Sequence, residues 1–99
     1  MYLIKQTDIF SKWLKKLKDT KGRVSIIRRI GRVAQGNFGD HKSVGDEVWE
    51  LRLTTGPGYR VYYTKKDDEI VILLVGGDKS TQTEDISKAK QLLKEIQDD

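Results

Sequence analysis

Chemistry in this chain is most readily built from Arg52 and Arg60. They stand in EVWELRLT and YRVYYT, two runs in which apolar and polar residues alternate. Trp49, Leu51 and Leu53 fall on one side of the first, with Glu50 and Arg52 on the other. Tyr59, Val61 and Tyr63 alternate in the same way with Arg60 and Tyr62. As adjacent strands with their apolar sides on a core, these runs bring Glu50, Arg52, Arg60 and Tyr62 to the opposite face. One arginine on a strand is ordinarily a solvated head on a packed stem. Two on neighbouring strands, screened only by Glu50, repel each other unless an anion lies between them. That pattern favours a phosphate-binding face. Tyr62 either covers the sheet, stacks on a base or donates a proton. Lys79 follows directly on an apolar strand-like run, where it serves either the solubility of the next helix or the same ligand. His41 and Lys42 lie in a stretch, Asn37 to Asp46, that reads as a loop able to close over this face. Spacing does not rank them.

Other chemistries are poorly supplied. GGDKST resembles the end of a phosphate-binding loop, but its first glycine is missing and Lys79 follows an aspartate. A serine-histidine-acid triad would have to use His41, with no nucleophile elbow nearby. The absence of cysteine excludes disulfides, thiolate metal sites and cysteine nucleophiles, and a lone histidine argues against a zinc centre. No metal or cofactor is expected. If the ligand is RNA, the residue set suits metal-free cleavage. The ribose 2′-hydroxyl attacks the adjacent phosphate, arginines stabilise the phosphorane-like charge, and a lysine or tyrosine handles protons. Positioning within a ribosomal site fits this set better than an efficient free nuclease.

The elements that must hold these residues follow from periodicity. YLIKQ reads as an edge strand. Thr7 can cap a helix carrying Ile9, Phe10, Trp13, Leu14 and Leu17 on one face. A second helix from about Lys21 to Gln35 places Val24, Ile27, Ile30 and Ala34 inward and Arg23, Arg28, Arg29 and Arg32 mostly outward. In GPGYRVYY, two glycines flank Pro57, the chain's only proline. The glycines permit positive φ and the proline fixes its own, so this connection sets the register of the following strand. Ile70 to Val75 is apolar throughout, as suits a central strand covered on both faces. Thr81 and Glu84 have capping-box spacing for a last helix with Ile86, Ala89, Leu92, Leu93 and Ile96. The expected order is β-α-α-β-β-β-α, an α+β fold.

Composition sets the limits. The 99 residues, 36% hydrophobic, suffice for one core, so residues 1–99 are read as a single domain. Nothing in MYLIKQTDIF resembles a signal peptide, and no apolar run reaches the roughly 18 residues of a membrane span. A cytoplasmic protein without membrane association is expected. The net charge of +4 divides unevenly, with +9 on residues 1–66 and −5 on residues 67–99. A basic front of this kind suits a nucleic-acid or ribosome binder, or merely a soluble lysine-rich surface.

FSKWLKKLKD, RRIGRVAQGNFGDHKSVGDEVWELRLTTGPGYRVYY and ILLVGGDKSTQTEDISKA, in that order, resemble the RelE/ParE toxin superfamily, more narrowly its HigB-like, phage Gp49-related branch of addiction-module killer proteins. The resemblance covers nearly the whole chain. It implies a RelE-like fold, a helical hairpin on a mostly antiparallel twisted sheet. It also implies the toxin of a type II toxin-antitoxin pair, neutralised by an antitoxin that in this branch is commonly a helix-turn-helix DNA-binding protein. RelE-type toxins cleave mRNA in the ribosomal A site with basic residues of the sheet face. On that basis Arg60 is the arginine of the GYR motif, Arg52 the basic position of the preceding strand, and Lys79 falls near the basic position after the last strand. Glu50 stands where RelE has a further lysine, and EDISKAK lacks the catalytic tyrosine of RelE. A ParE-like inhibitor of DNA gyrase shares the fold without needing the Arg52, Arg60 and Lys79 set. A non-toxic RNA-binding or phage accessory module is the third reading.

Overall fold

A computed structural model describes residues 1–98. Five strands and three helices form three layers: β1 (Leu3–Gln6), α1 (Asp8–Lys16), α2 (Thr20–Ala34), β2 (His41–Gly45), β3 (Val48–Arg52), β4 (Tyr59–Lys66), β5 (Ile70–Asp78) and α3 (Gln82–Gln97), the last preceded by a 3₁₀ turn at Lys79–Thr81. The sheet runs β1-β5-β4-β3-β2, with β1 parallel to β5 and every other pair antiparallel. The core against the α1-α2 hairpin contains Phe10, Ile26, Val33, Leu51, Tyr59, Val61, Tyr63 and Leu73. A second core, between the other sheet face and α3, contains Val48, Tyr62, Leu74, Val75, Ala89 and Leu93. β5 is therefore covered on both faces, which is why its sequence carries no polar alternation.

The structure has one strand more than the expected order. His41–Gly45, within the stretch read as a loop, forms edge strand β2. An edge strand whose side chains are mostly exposed buries too little to leave an apolar period. It is defined instead by backbone pairing to β3 and by Asp46 and Glu47, whose φ values of 53° and 65° suit a primed two-residue hairpin turn.

A bulge sets the parity of β5. Tyr62 pairs with Val75 and Tyr63 with Leu73, so Leu74 is the extra residue. Its carbonyl accepts the Thr7 hydroxyl at 2.7 Å, and Thr7 Oγ1 caps α1 by accepting from the Phe10 amide at 3.1 Å. Beyond the bulge, Gly76 lies under Trp13 of α1, and Gly77 lies under the Asp85 carboxylate of α3. The two glycines of GGDKST are thus strand residues across which helices approach closely.

Two sequence expectations are corrected. Helix α2 turns Gly22, Ile26, Arg29 and Val33 inward, leaving Val24 and Ile27 about half exposed. Gly22 admits the Tyr59 ring, and Arg29 is buried because Nε and Nη2 donate to the Phe38 and Asp40 carbonyls at 3.0 and 2.8 Å. That burial lowers the guanidinium pKa from its ordinary value. The capping box before α3 also differs: Asp78 caps the 3₁₀ turn with Thr81 as its partner, and Thr81 makes no side-chain cap on α3.

Candidate functional site

The GPG connection behaves as its residues require. Gly56 and Gly58 have φ of 58° and 82°, and the Gly58 amide donates to the Thr55 carbonyl at 3.2 Å. Tyr59 then enters β4 with its ring against α2, its hydroxyl donating to Asp19 at 2.8 Å. Asp19 in turn caps α2 through the Gly22 amide at 3.1 Å. With Tyr59 held on the hairpin side, Arg60 projects to the other side, and the β3-β4 register places it directly opposite Arg52.

Arg52, Arg60 and Lys79 meet around a depression of about 320 Å³, whose rim includes Asp40, Thr54 and the Gly56–Gly58 turn. Lys79 lies over the turn, its Cβ within packing distance of Gly58. The two arginines differ in freedom. The Arg52 side chain is 42% exposed and that of Arg60 only 7%. Arg60 Nη1 donates back to the Gly58 and Tyr59 carbonyls at 3.0 and 3.2 Å, so the guanidinium is anchored by its own turn.

Beneath them lies Glu50, completely buried. Oε2 accepts from the Tyr62 hydroxyl at 3.0 Å and from Gln82 Nε2 of α3 at 2.8 Å. Oε1 faces Arg52 Nε at 3.8 Å and Arg60 Nε at 4.0 Å. These distances permit charge attraction but exceed those of a hydrogen bond. The sequence placed Glu50 on this face only as a screen between the arginines, and residue type alone offered no signal for Gln82.

Tyr62 is corrected. It shares the face of Arg60 as its parity predicts, but α3 covers that part of the face and leaves the ring wholly buried. Burial first, then the charge and hydrogen bond of Glu50, raise the phenol pKa well above its ordinary value. It is a fixed donor to Glu50, neither a base-stacking platform nor a ready proton source. His41 is also displaced from the expected set. It pairs with Leu51, on the hairpin side of the sheet, and its ring packs near Phe38 and Trp49. Lys42 pairs with Glu50, so it lies on the arginine side of edge strand β2, exposed.

The site thus offers three cations around a small open depression, with one buried anion behind two of them. Such an arrangement can accept an oxyanion and stabilise added negative charge there. Among the described residues no group of three or more His, Cys, Asp or Glu is placed to hold a metal ion. A wider depression, about 920 Å³, follows the outer side of α2 past Lys21, Val24, Arg28 and Arg32, and shares no residue with this site.

Solved structures define the class of fold. An arginine-to-alanine double mutant of the E. coli toxin RelE in the free state matches with a TM-score of 0.75 at 20% identity, covering 91% of this chain and 95% of that one. The isolated E. coli RelE toxin matches at 0.67 and 17% identity, over 88% and 97%. A chain of the intact E. coli RelBE toxin-antitoxin complex matches at 0.62 and 20%, over 79% and 96%. The fold is that of RelE. Residues 12–94 match the family "Phage derived protein Gp49-like (DUF891)", and the chain belongs to that family. A Haemophilus influenzae protein described only as uncharacterized is 52% identical over 93 residues, 94% of either chain.

Proposed function

We propose that this protein is the toxin of a type II toxin-antitoxin pair and that it acts as a ribosome-dependent mRNA endonuclease. The observation that carries this reading is the opposed Arg52-Arg60 pair with Lys79 at the rim of one depression, an arrangement suited to a backbone phosphate. Family membership and the RelE fold support it. The mRNA phosphate lies against the two guanidinium groups. The ribose 2′-hydroxyl attacks phosphorus and its proton passes to water. The bond to the 5′-oxygen breaks as that oxygen takes a proton from Lys79, leaving a 2′,3′-cyclic phosphate and a 5′-hydroxyl. The arginines stabilise the charge that develops on the non-bridging oxygens. Tyr62 takes no part in proton transfer, and Lys42 contacts the RNA alongside.

The protein works in the cytoplasm on translating ribosomes, and a cognate antitoxin, of the helix-turn-helix DNA-binding kind, holds it inactive. A RelE structure solved in complex with its antitoxin supports such a partner. Induced expression is expected to halt translation before replication and to leave cuts in mRNA at regular positions within codons, read by primer extension. Intact transcripts during arrest would overturn the endonuclease reading. An SOS response with double-strand breaks would mark the gyrase-directed alternative.

A further inference from the structure

Glu50 is the one fully buried carboxylate behind the arginines, and its two oxygens have separate surroundings. Oε2 is held by neutral donors from two elements, the Tyr62 hydroxyl of β4 and the Gln82 amide of α3. Those bonds fix the plane of the carboxylate without help from either arginine. Oε1 is left facing Arg52 Nε and Arg60 Nε at 3.8 and 4.0 Å, and all three atoms are buried without a hydrogen-bond partner. A buried ion pair serving stability alone would be expected to close to about 2.7–2.9 Å with parallel bonds. This one stands open by roughly an ångström on both sides.

We propose that Glu50 is a positioning residue that holds Arg52 and Arg60 side by side for a single RNA phosphate. Its charge offsets one of two facing cations, so the pair neither splays apart nor loses its net positive charge. The attraction operates through the Nε side at a distance that spends no guanidinium hydrogen bond. Arg60 Nη1 is held by the Gly58 and Tyr59 carbonyls, but neither arginine spends an outer nitrogen on Glu50, so a phosphate at the depression can bind without first breaking an ion pair. Because Gln82 belongs to α3, the seating of that helix is read at the arginines through the same carboxylate. The proposal rests on the endonuclease reading for its catalytic consequence, but not for the arrangement of the arginines.

Two measurements test it separately. In NMR spectra of the wild-type protein, the Arg52 and Arg60 Nε–Hε signals are expected to be dispersed and slow to exchange with water. Glu50→Gln should move both and speed their exchange while the backbone spectrum stays folded, and Glu50→Asp should restore part of the protection. Tyr62→Phe, which keeps the ring in the core and removes one donor to Oε2, should shift the same two signals by less; it decides the matter if Glu50→Gln does not fold. Arginine signals unmoved in the folded variants would overturn the proposal. In single-turnover cleavage on programmed ribosomes, misplacing the arginines should slow Glu50→Gln on the order of 10- to 100-fold. Its half-saturating ribosome concentration should stay near that of wild type. A loss confined to that concentration would likewise overturn the proposal. If wild-type protein cleaves nothing while the arginine signals respond as expected, the endonuclease reading falls and the positioning role stands.

Discussion

At Arg60 the guanidinium is anchored by the carbonyls of its own turn and faces a buried carboxylate, so both its place and its charge are set before any ligand arrives. A preorganised donor of this kind is worth most in the transition state. Removing a comparable donor slows a reaction roughly 10²- to 10³-fold. Arg60→Ala should therefore abolish growth inhibition and lower single-turnover cleavage by about that factor. It also removes the donor to the half-buried Gly58 carbonyl and half of Glu50's counter-charge, so a loss of about 1–3 kcal/mol in stability is expected with it. Arg60→Lys separates the two effects, because it keeps the charge and loses the planar fork. Near-wild-type thermal stability with cleavage still well below wild type is the expected result, measured by circular dichroism and a toeprint assay. Arg52, much more exposed, should tolerate the same lysine exchange better.

Among the elements, the site depends on how closely two helices approach β5. A Cβ on Gly76 would run into the Trp13 ring, so α1 or the strand must move. Gly76→Ala is expected to cost about 1–3 kcal/mol as an overpacked core. Gly31, inside α2 with nothing within 4 Å of a built Cβ, is the contrasting case. Gly31→Ala should stabilise by about 0.4–1 kcal/mol through the lost freedom of the unfolded chain. Urea midpoints of the two variants should move in opposite directions. The Asp19-Tyr59 contact gives the α2-β4 junction a pH dependence. The Gly22 amide first, then the Tyr59 hydroxyl, hold the Asp19 pKa below its ordinary value. Its contribution is therefore present above the unfolded value, about 4, and is lost as pH falls through the lower folded one. The Tyr59 phenol is raised, by burial first and then by Asp19, so its share persists below about pH 10 and is lost as pH rises through the folded value. Asp19→Asn keeps a competent cap and should flatten both limbs of a stability-against-pH profile relative to wild type. Periodicity revealed most of these elements because β3, β4 and β5 bury whole faces. It missed β2, which buries almost nothing, and mis-phased α2, where two carbonyls draw Arg29 inward in place of an apolar residue.

Across the whole molecule, the parity argument placed Arg52 and Arg60 correctly, because a strand's two faces follow from alternation alone. The same argument could not show that α3 lies over part of that face. Tyr62 therefore passed for a surface residue, and His41, on a strand taken for a loop, was assigned to the wrong side. What remains accessible at the site is Arg52, Lys79 and Lys42 beside the nearly buried Arg60, and the chain's charge is divided to match. Residues 1–66, with the hairpin, Arg52 and Arg60, carry +9, while residues 67–99, with all of α3, carry −5. A phosphate chain crossing the site meets Arg52, Arg60 and Lys79, with Lys42 on the same side of the sheet. With one phosphate shared by Arg52 and Arg60 and one each at Lys79 and Lys42, three neutralised phosphates on a single strand correspond to a slope of about −2 in log affinity against log salt concentration. Binding of a short single-stranded RNA, followed by fluorescence anisotropy between low and physiological salt, should show that slope. Lys79→Ala should make it shallower by about 0.7, the share of one phosphate contact on a single strand. Removing a charge from the outer side of α2, as in Arg28→Ala, should leave it unchanged, because that surface shares no residue with the site. Equal losses of slope in both variants would mean that RNA is held by overall charge rather than by the arginine face.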